Sequence, residues 1–178
     1  ELCPDPGLAE VAAQLLPRPA ILCHLATSQP KKEWPLGHWA ELYRRATAAG
    51  QQLVFSTGIS PREQALLEDL KRQLPGVIAL PALSDLPTFL AVLKRARLFI
   101  SGDTGPLHIA AGLGVPTIGL FGPSPAVKWA PLGQRHRALQ ADHCACGGDT
   151  AVCLSAAPCM AKISPEAVLR LLLAAQSP

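Results

Sequence analysis

The chain of 178 residues is 49% hydrophobic and only 16% charged, with 18 Pro and 14 Gly, which excludes charge-driven disorder and points to one turn-rich domain with its own core. Its net charge of +3, from 16 basic and 13 acidic side chains dispersed along the sequence, lacks a nucleic-acid footprint but suits a small anionic ligand. No apolar run reaches the roughly 20 residues that cross a bilayer, and ELCPDPGLAE lacks the order of a secretory signal, so a soluble chain is expected. Because it starts at Glu1 without Met, the chain reads as part of a longer polypeptide. Residues 1–19 are expected to form a linker or short helix (7–16) leading from a preceding domain, and residues 20–178 the folded domain itself.

AILCHLA (20–26) has the length and apolarity of a strand, and the polar loop TSQPKKEWP leads from it into a helix, LGHWAELYRRATAAG. Trp39, Leu42 and Tyr43 share one face of that helix, and Gly50 is a natural stop. QQLVFS is a second strand. The helix after it carries Ser60 as cap, Pro61 at the first position and Glu63 at the third. VIAL (77–80) predicts a third strand, Ser84 or Asp85 opens a helix through Lys94, and RLFIS (97–101) predicts a fourth strand. A short small-residue helix follows, then a fifth strand in PTIGLF, and Ser164-Pro165 starts a final amphipathic helix. Continuous apolar strands alternating with helices predict an α/β fold, a doubly wound, Rossmann-like parallel sheet. The Pro- and Cys-rich passage 122–162 lies outside this rhythm.

Ligands of such sheets gather beyond the carboxyl ends of the strands. The stretch DTGPLHIAAGLGVPTIGLFG (103–122) lies there without one Lys or Arg. A helix start with Thr104 and Gly105 suits a phosphate, whereas the Asp103 carboxylate suits sugar hydroxyls, so a diphosphate joined to a polyol satisfies both. His108, in the first turn, can donate to a phosphate or sugar oxygen. Equally open is a reading in which Asp103 or Thr104 caps the helix and His108 is a satisfied structural residue. Ala110 to Gly114 serve close packing and the helix stop. In the loop after the first strand Thr27 and Ser28 offer hydroxyls, Lys31 or Lys32 offers charge, and Trp34-Pro35 is expected to fix the loop onto the next helix, with direct stacking on a ligand as the alternative. The P-loop and dinucleotide fingerprints are both absent.

Taken in order, T-S-x-x-x-K-x-W-P, S-G-D-T-G-P-x-H-I-A-A-x-L-G-V-P, L-F-G-P-S and a C-x-C with two later Cys before I-S-P-E-A-V resemble glycosyltransferase family nine, the ADP-heptose:lipopolysaccharide heptosyltransferases. The resemblance implies the carboxyl-terminal, donor-binding half of a GT-B enzyme with two Rossmann-like domains. It assigns Thr27, Ser28 and Lys32 to the diphosphate, Asp103 to the heptose hydroxyls, Thr104, Gly105 and His108 to the phosphate and sugar region, and Leu83 to the base. The implied reaction is inverting and metal-independent, with ADP-heptose as donor substrate, no cofactor and ADP leaving. The acceptor, the inner core of lipopolysaccharide, and the general base are assigned to the amino-terminal domain, so no catalytic residue is expected in this chain. The full enzyme is expected in the cytoplasm, at the inner face of the membrane. Family members often carry an acid just after the second-strand Gly, where this chain has Ser60, with Glu63 farther along. A transferase for another nucleotide sugar, and a non-catalytic nucleotide- or metal-binding module, are the rival readings.

Cys144, Cys146, Cys153 and Cys159, beside His143, lie in the expected Cys-rich loop 143–160. Their C-x-C-x6-C-x5-C spacing lacks zinc knuckles, and metal ligands, a disulfide and free thiols all remain open. Cys23 is expected in the core and Cys3 near a terminus.

Overall fold

The computed structural model describes residues 2–142 and 158–175. Four strands, β1 (Ile21–His24), β2 (Leu53–Ser56), β3 (Leu98–Gly102) and β4 (Thr117–Phe121), are buried along their full length. A fifth, β5 (His136–Gln140), forms a partly exposed edge. All pair in parallel, in the order β2-β1-β3-β4-β5. Strands covered on both faces need no polar alternation, which is why they read as plain apolar runs.

Seven α-helices occur among the described residues: α1 (Ala9–Leu15), α2 (Leu36–Ala48), α3 (Pro61–Gln73), α4 (Leu86–Lys94), α5 (Gly105–Gly112), α6 (Ala126–Trp129) and α7 (Pro165–Ala174). Alternate strand residues divide between two cores. Ile21, Cys23, Phe55, Ile100 and Ile118 pack with α2, α3 and α7 through Trp39, Leu42, Leu70, Val168 and Leu172. Leu22, Val54 and Phe99 pack with α1, α4 and α5 through Ala12, Val92 and Leu107. The sheet is therefore doubly wound. Residues before β1 belong to it too: Ala12 and Leu16 enter the second core, and the Leu2 amide donates to the Gly112 carbonyl at 2.9 Å.

Two expectations need correction. VIAL does not form a strand but a single parallel bridge, Ala79 to Phe55, made by Phe55 N–H to Ile78 O and Leu80 N–H to Phe55 O. Pro81 ends the ladder because it has no N–H to donate, and Pro75-Gly76 confines it from the other side. Counted as a rudimentary strand, it completes the order 3-2-1-4-5-6 of a Rossmann sheet. Conversely, the passage expected to stand outside the rhythm contains α6 and β5. HRALQ has neither the apolar run nor the alternation that marks a strand, because edge position leaves most of it in water.

Candidate functional site

The order in which strands are added reverses between the parallel neighbours β1 and β3, whose following connections leave the same edge of the sheet; this is the switch point where open α/β sheets hold ligands. A cleft of about 380 Å3 opens there, bounded by Ser28, Thr57, Gly58, Glu63, Leu83, Phe89 and Thr104, among others.

The loop after β1 is held firmly. Arg62 of α3 donates to the Thr27 carbonyl at 2.7 Å and to Glu33 Oε1 at 2.5 Å, and the same Glu33 oxygen accepts from the Thr27 amide at 3.2 Å. The Thr27 hydroxyl donates to Gln29 O at 2.6 Å, so this residue, 1% exposed, spends its polar groups on the loop itself. Trp34 is buried edge-on against Trp39, with ring centroids 4.8 Å apart, and its indole N–H donates to Ile163 O at 2.9 Å. Such an aromatic pair contributes about 1 kcal/mol beyond its buried area. Trp34 thus anchors the loop to the segment before α7 and faces inward. Gly102 permits the close approach of the two loops: a Cβ there would stand 2.7 Å from Lys32 O.

That approach joins residues 71 positions apart. Lys32 Nζ donates to Asp103 Oδ2 at 2.7 Å, and His108 Nε2 lies 3.7 Å from Oδ1. Burial pushes the Asp103 carboxyl up, but hydrogen bonds from Lys32 and Ser124 and the charges of Lys32 and His108 outweigh it, holding the group below the usual carboxylate range. Ser124, 7% exposed and in the loop after β4, carries no sequence signal for this contact beyond its place in L-F-G-P-S.

The helices around the cleft differ at their first turns. Ser60 and Glu63 form a reciprocal capping box on α3, and Asp85 accepts from the Thr88 amide on α4. Thr104 occupies the cap position of α5 but makes no side-chain cap, and a Cβ at Gly105 would meet nothing within 4 Å. Pro106 has no N–H and the Leu107 N–H donates to Thr104 O at 3.1 Å, so among the described residues the open donors at the α5 N-terminus are the Thr104 and Gly105 amides, set with the helix's partial positive charge beside Lys32.

Of the predicted site residues, Ser28, Leu83 and Thr104 line the cleft, Lys32 and Asp103 form the bridging pair, and Gly105 opens α5. Thr27 is buried beneath them. His108, 44% exposed in its side chain, lines a second, shallower concavity of about 600 Å3 with Lys128, Trp129 and Leu132. Sequence reasoning did not single out His24, which also borders the first cleft; a lone His in an apolar run carries no local signal. No cluster of three or more potential metal-ligating side chains occurs among the described residues. Cys159 is buried, Cys23 sits in the core, Cys3 is exposed, and Cys144, Cys146, Cys153 and His143 lie outside the described residues.

Residues 3–153 match the sequence profile of Glycosyltransferase family 9 (heptosyltransferase). A lipopolysaccharide heptosyltransferase 1 of Pseudomonas aeruginosa is 38% identical over 98 residues, 55% of this chain and 27% of that protein. Among solved structures, a family 9 glycosyl transferase of Veillonella parvula superposes with a TM-score of 0.79 at 21% identity, covering 98% of this chain and 52% of that one. An Escherichia coli heptosyltransferase solved with ADP gives 0.71 at 22% identity, covering 93% and 48%. The chain thus spans about half the length of these solved relatives.

Proposed function

Since the chain belongs to glycosyltransferase family 9, we propose that it is the donor-binding half of a two-domain GT-B heptosyltransferase that transfers heptose from ADP-heptose to the inner core of lipopolysaccharide. The observation that carries this reading is the uncapped α5 N-terminus set beside the Lys32–Asp103 pair at the switch point. The nucleoside occupies the cleft, against Leu83 on its apolar side and Glu63 near its ribose hydroxyls. The diphosphate passes over Ser28 and the Thr104-Gly105 amides. Lys32 has three N–H donors and gives one to Asp103, so it can reach the phosphates without leaving the carboxylate. Asp103 accepts from the sugar hydroxyls, with His108 beside it, and Thr27 shapes the loop that presents Ser28 and Lys32.

In this assignment the chain's contribution to chemistry is electrostatic. When the bond between the anomeric carbon and the diphosphate breaks, negative charge grows on ADP, and Lys32 and the α5 amides stabilise it without rearrangement. The acceptor hydroxyl and its base are assigned to the other half of the enzyme; inversion at the anomeric carbon follows from attack opposite the leaving group, and the transfer is assigned as metal-independent. The working place is the cytoplasmic face of the inner membrane, where the lipid-borne acceptor is met by peripheral association.

Titration calorimetry with ADP, ADP-heptose and UDP-sugars tests the reading. Binding of ADP and ADP-heptose, abolished or strongly weakened in Lys32→Ala, is expected. Absence of ADP affinity at millimolar concentration, or preference for UDP-sugars, would overturn it.

A further inference from the structure

The residues assigned to the donor leave His24 without a role. It closes β1 at the switch point, is 4% exposed, and lies with its ring centroid 6.2 Å from that of Phe89 and 6.3 Å from that of Phe99. Its Nδ1 is 3.0 Å from Ser56 Oγ, and Ser56 is its one hydrogen-bond partner among the described residues. Among the described residues the fully sealed side-chain polar atoms that lack a partner are Gln29 Oε1, His38 Nδ1 and Trp39 Nε1. His24 Nε2 is not among them and has no partner among the described residues, and His24 is one of the residues that line the cleft.

Burial holds the imidazole pKa down at about 4 although Glu63 pulls it upward, so the ring is neutral near pH 7. A neutral ring beside a hydroxyl has two arrangements. Either Ser56 donates to Nδ1 and Nε2 carries the proton, or Nδ1–H donates to Ser56 and Nε2 accepts. Both leave one directional polar atom at the cleft. A phosphate is a poor occupant there, since the ring is uncharged and feels the Glu63 carboxylate. A flat heterocycle lying on Leu83, Leu86 and Phe89 is a good one, because those residues give the same cleft an apolar wall.

We propose that His24 is a base-reading residue, its Nε2 hydrogen-bonding the edge of the donor's nucleobase, with Ser56 setting which ring nitrogen carries the proton. This rests on the donor-binding reading above. His24 then separates nucleotides by their bases, while Lys32 and the α5 amides hold the part that all nucleoside diphosphates share.

The test compares ADP with ribose 5-diphosphate, which lacks the base, by titration calorimetry on the full chain. His24→Leu is expected to weaken ADP about tenfold, the worth of one buried hydrogen bond, and leave ribose 5-diphosphate unchanged; Ser56→Ala is expected to weaken ADP about threefold. In the unaltered protein the 15N resonance of His24 Nε2 should move on adding ADP and stay in place with ribose 5-diphosphate, a readout that survives if His24→Leu fails to fold. Equal loss for both ligands, no loss for ADP, or a stationary Nε2 resonance in protein that binds ADP would overturn this inference and leave the donor reading intact. If the unaltered protein binds neither ligand, both readings fall.

Discussion

The two loops that meet at the switch point are built on opposite plans. The loop after β1 is satisfied from within: Arg62, Glu33 and Gln29 take up the polar groups of Thr27, and Trp34 is nailed to Ile163. The turn into α5 is left open, with Thr104 uncapped and Gly105 facing free space. One side is a rigid frame and the other offers open donors, which in the proposed assignment the diphosphate takes up. The first turns of α3 and α4, which border the same cleft, are by contrast closed by Ser60, Glu63 and Asp85.

The largest test of the rigid side is its response to acid. His24 is neutral in the fold with a pKa near 4, against 6.5 in the open chain, so between those values the unfolded state binds the extra proton. Its contribution is present above pH 6.5 and is lost as pH falls toward 4, by up to about 3 kcal/mol, at 1.36 kcal/mol per unit. Urea unfolding at pH 7, 5.5 and 4.5 should show that decline, and His24→Leu should flatten it.

Next in size is the bridge between the loops. Lys32→Ala leaves Asp103, 11% exposed in its side chain, without its ammonium partner and removes the proposed phosphate donor. Nucleotide affinity should fall by about 2 kcal/mol, roughly thirtyfold, read by calorimetry. Arg62→Ala loosens the frame without touching the open side. It should weaken ADP about fivefold, mostly through faster dissociation in stopped-flow traces, because Ser28 and Lys32 are then less well positioned.

The smallest effect is the sharpest comparison. Ser60→Ala removes a working cap and should cost about 1 kcal/mol of stability in urea unfolding. Thr104→Ala removes a residue in the same position that caps nothing, and its unfolding free energy should stay within about 0.3 kcal/mol of the parent while ADP binding weakens.

Much of this was legible because it rests on local chemistry. Ser60-Pro61-x-Glu63 and Ser164-Pro165 marked their helix starts, and Gly114, at φ +75°, stopped α5 as expected. The parallel sheet followed from apolar runs between helices. What was hidden depends on distant partners. β5 is a strand only because β4 offers it an edge, and VIAL stops at one bridge because Pro81 cannot extend the ladder. The Asp103-Thr104-Gly105 turn and Lys32 were recognisable as chemistry, and their 2.7 Å contact answers how a stretch without Lys or Arg acquires its positive charge. His24 stayed invisible, since only the fold places it against Ser56 and the cleft.

The central claim is that the open α5 turn receives the diphosphate. Amide chemical-shift mapping of the 15N-labelled chain during ADP titration tests it most directly. The account predicts that the amides of Thr104 and Gly105, with that of Ser28 across the cleft, move most and saturate together, while those of Gly58 and Ser60 at the closed cap of α3 move less. Shifts centred on α3, or an unmoved α5 turn in protein saturated with ADP, would contradict it.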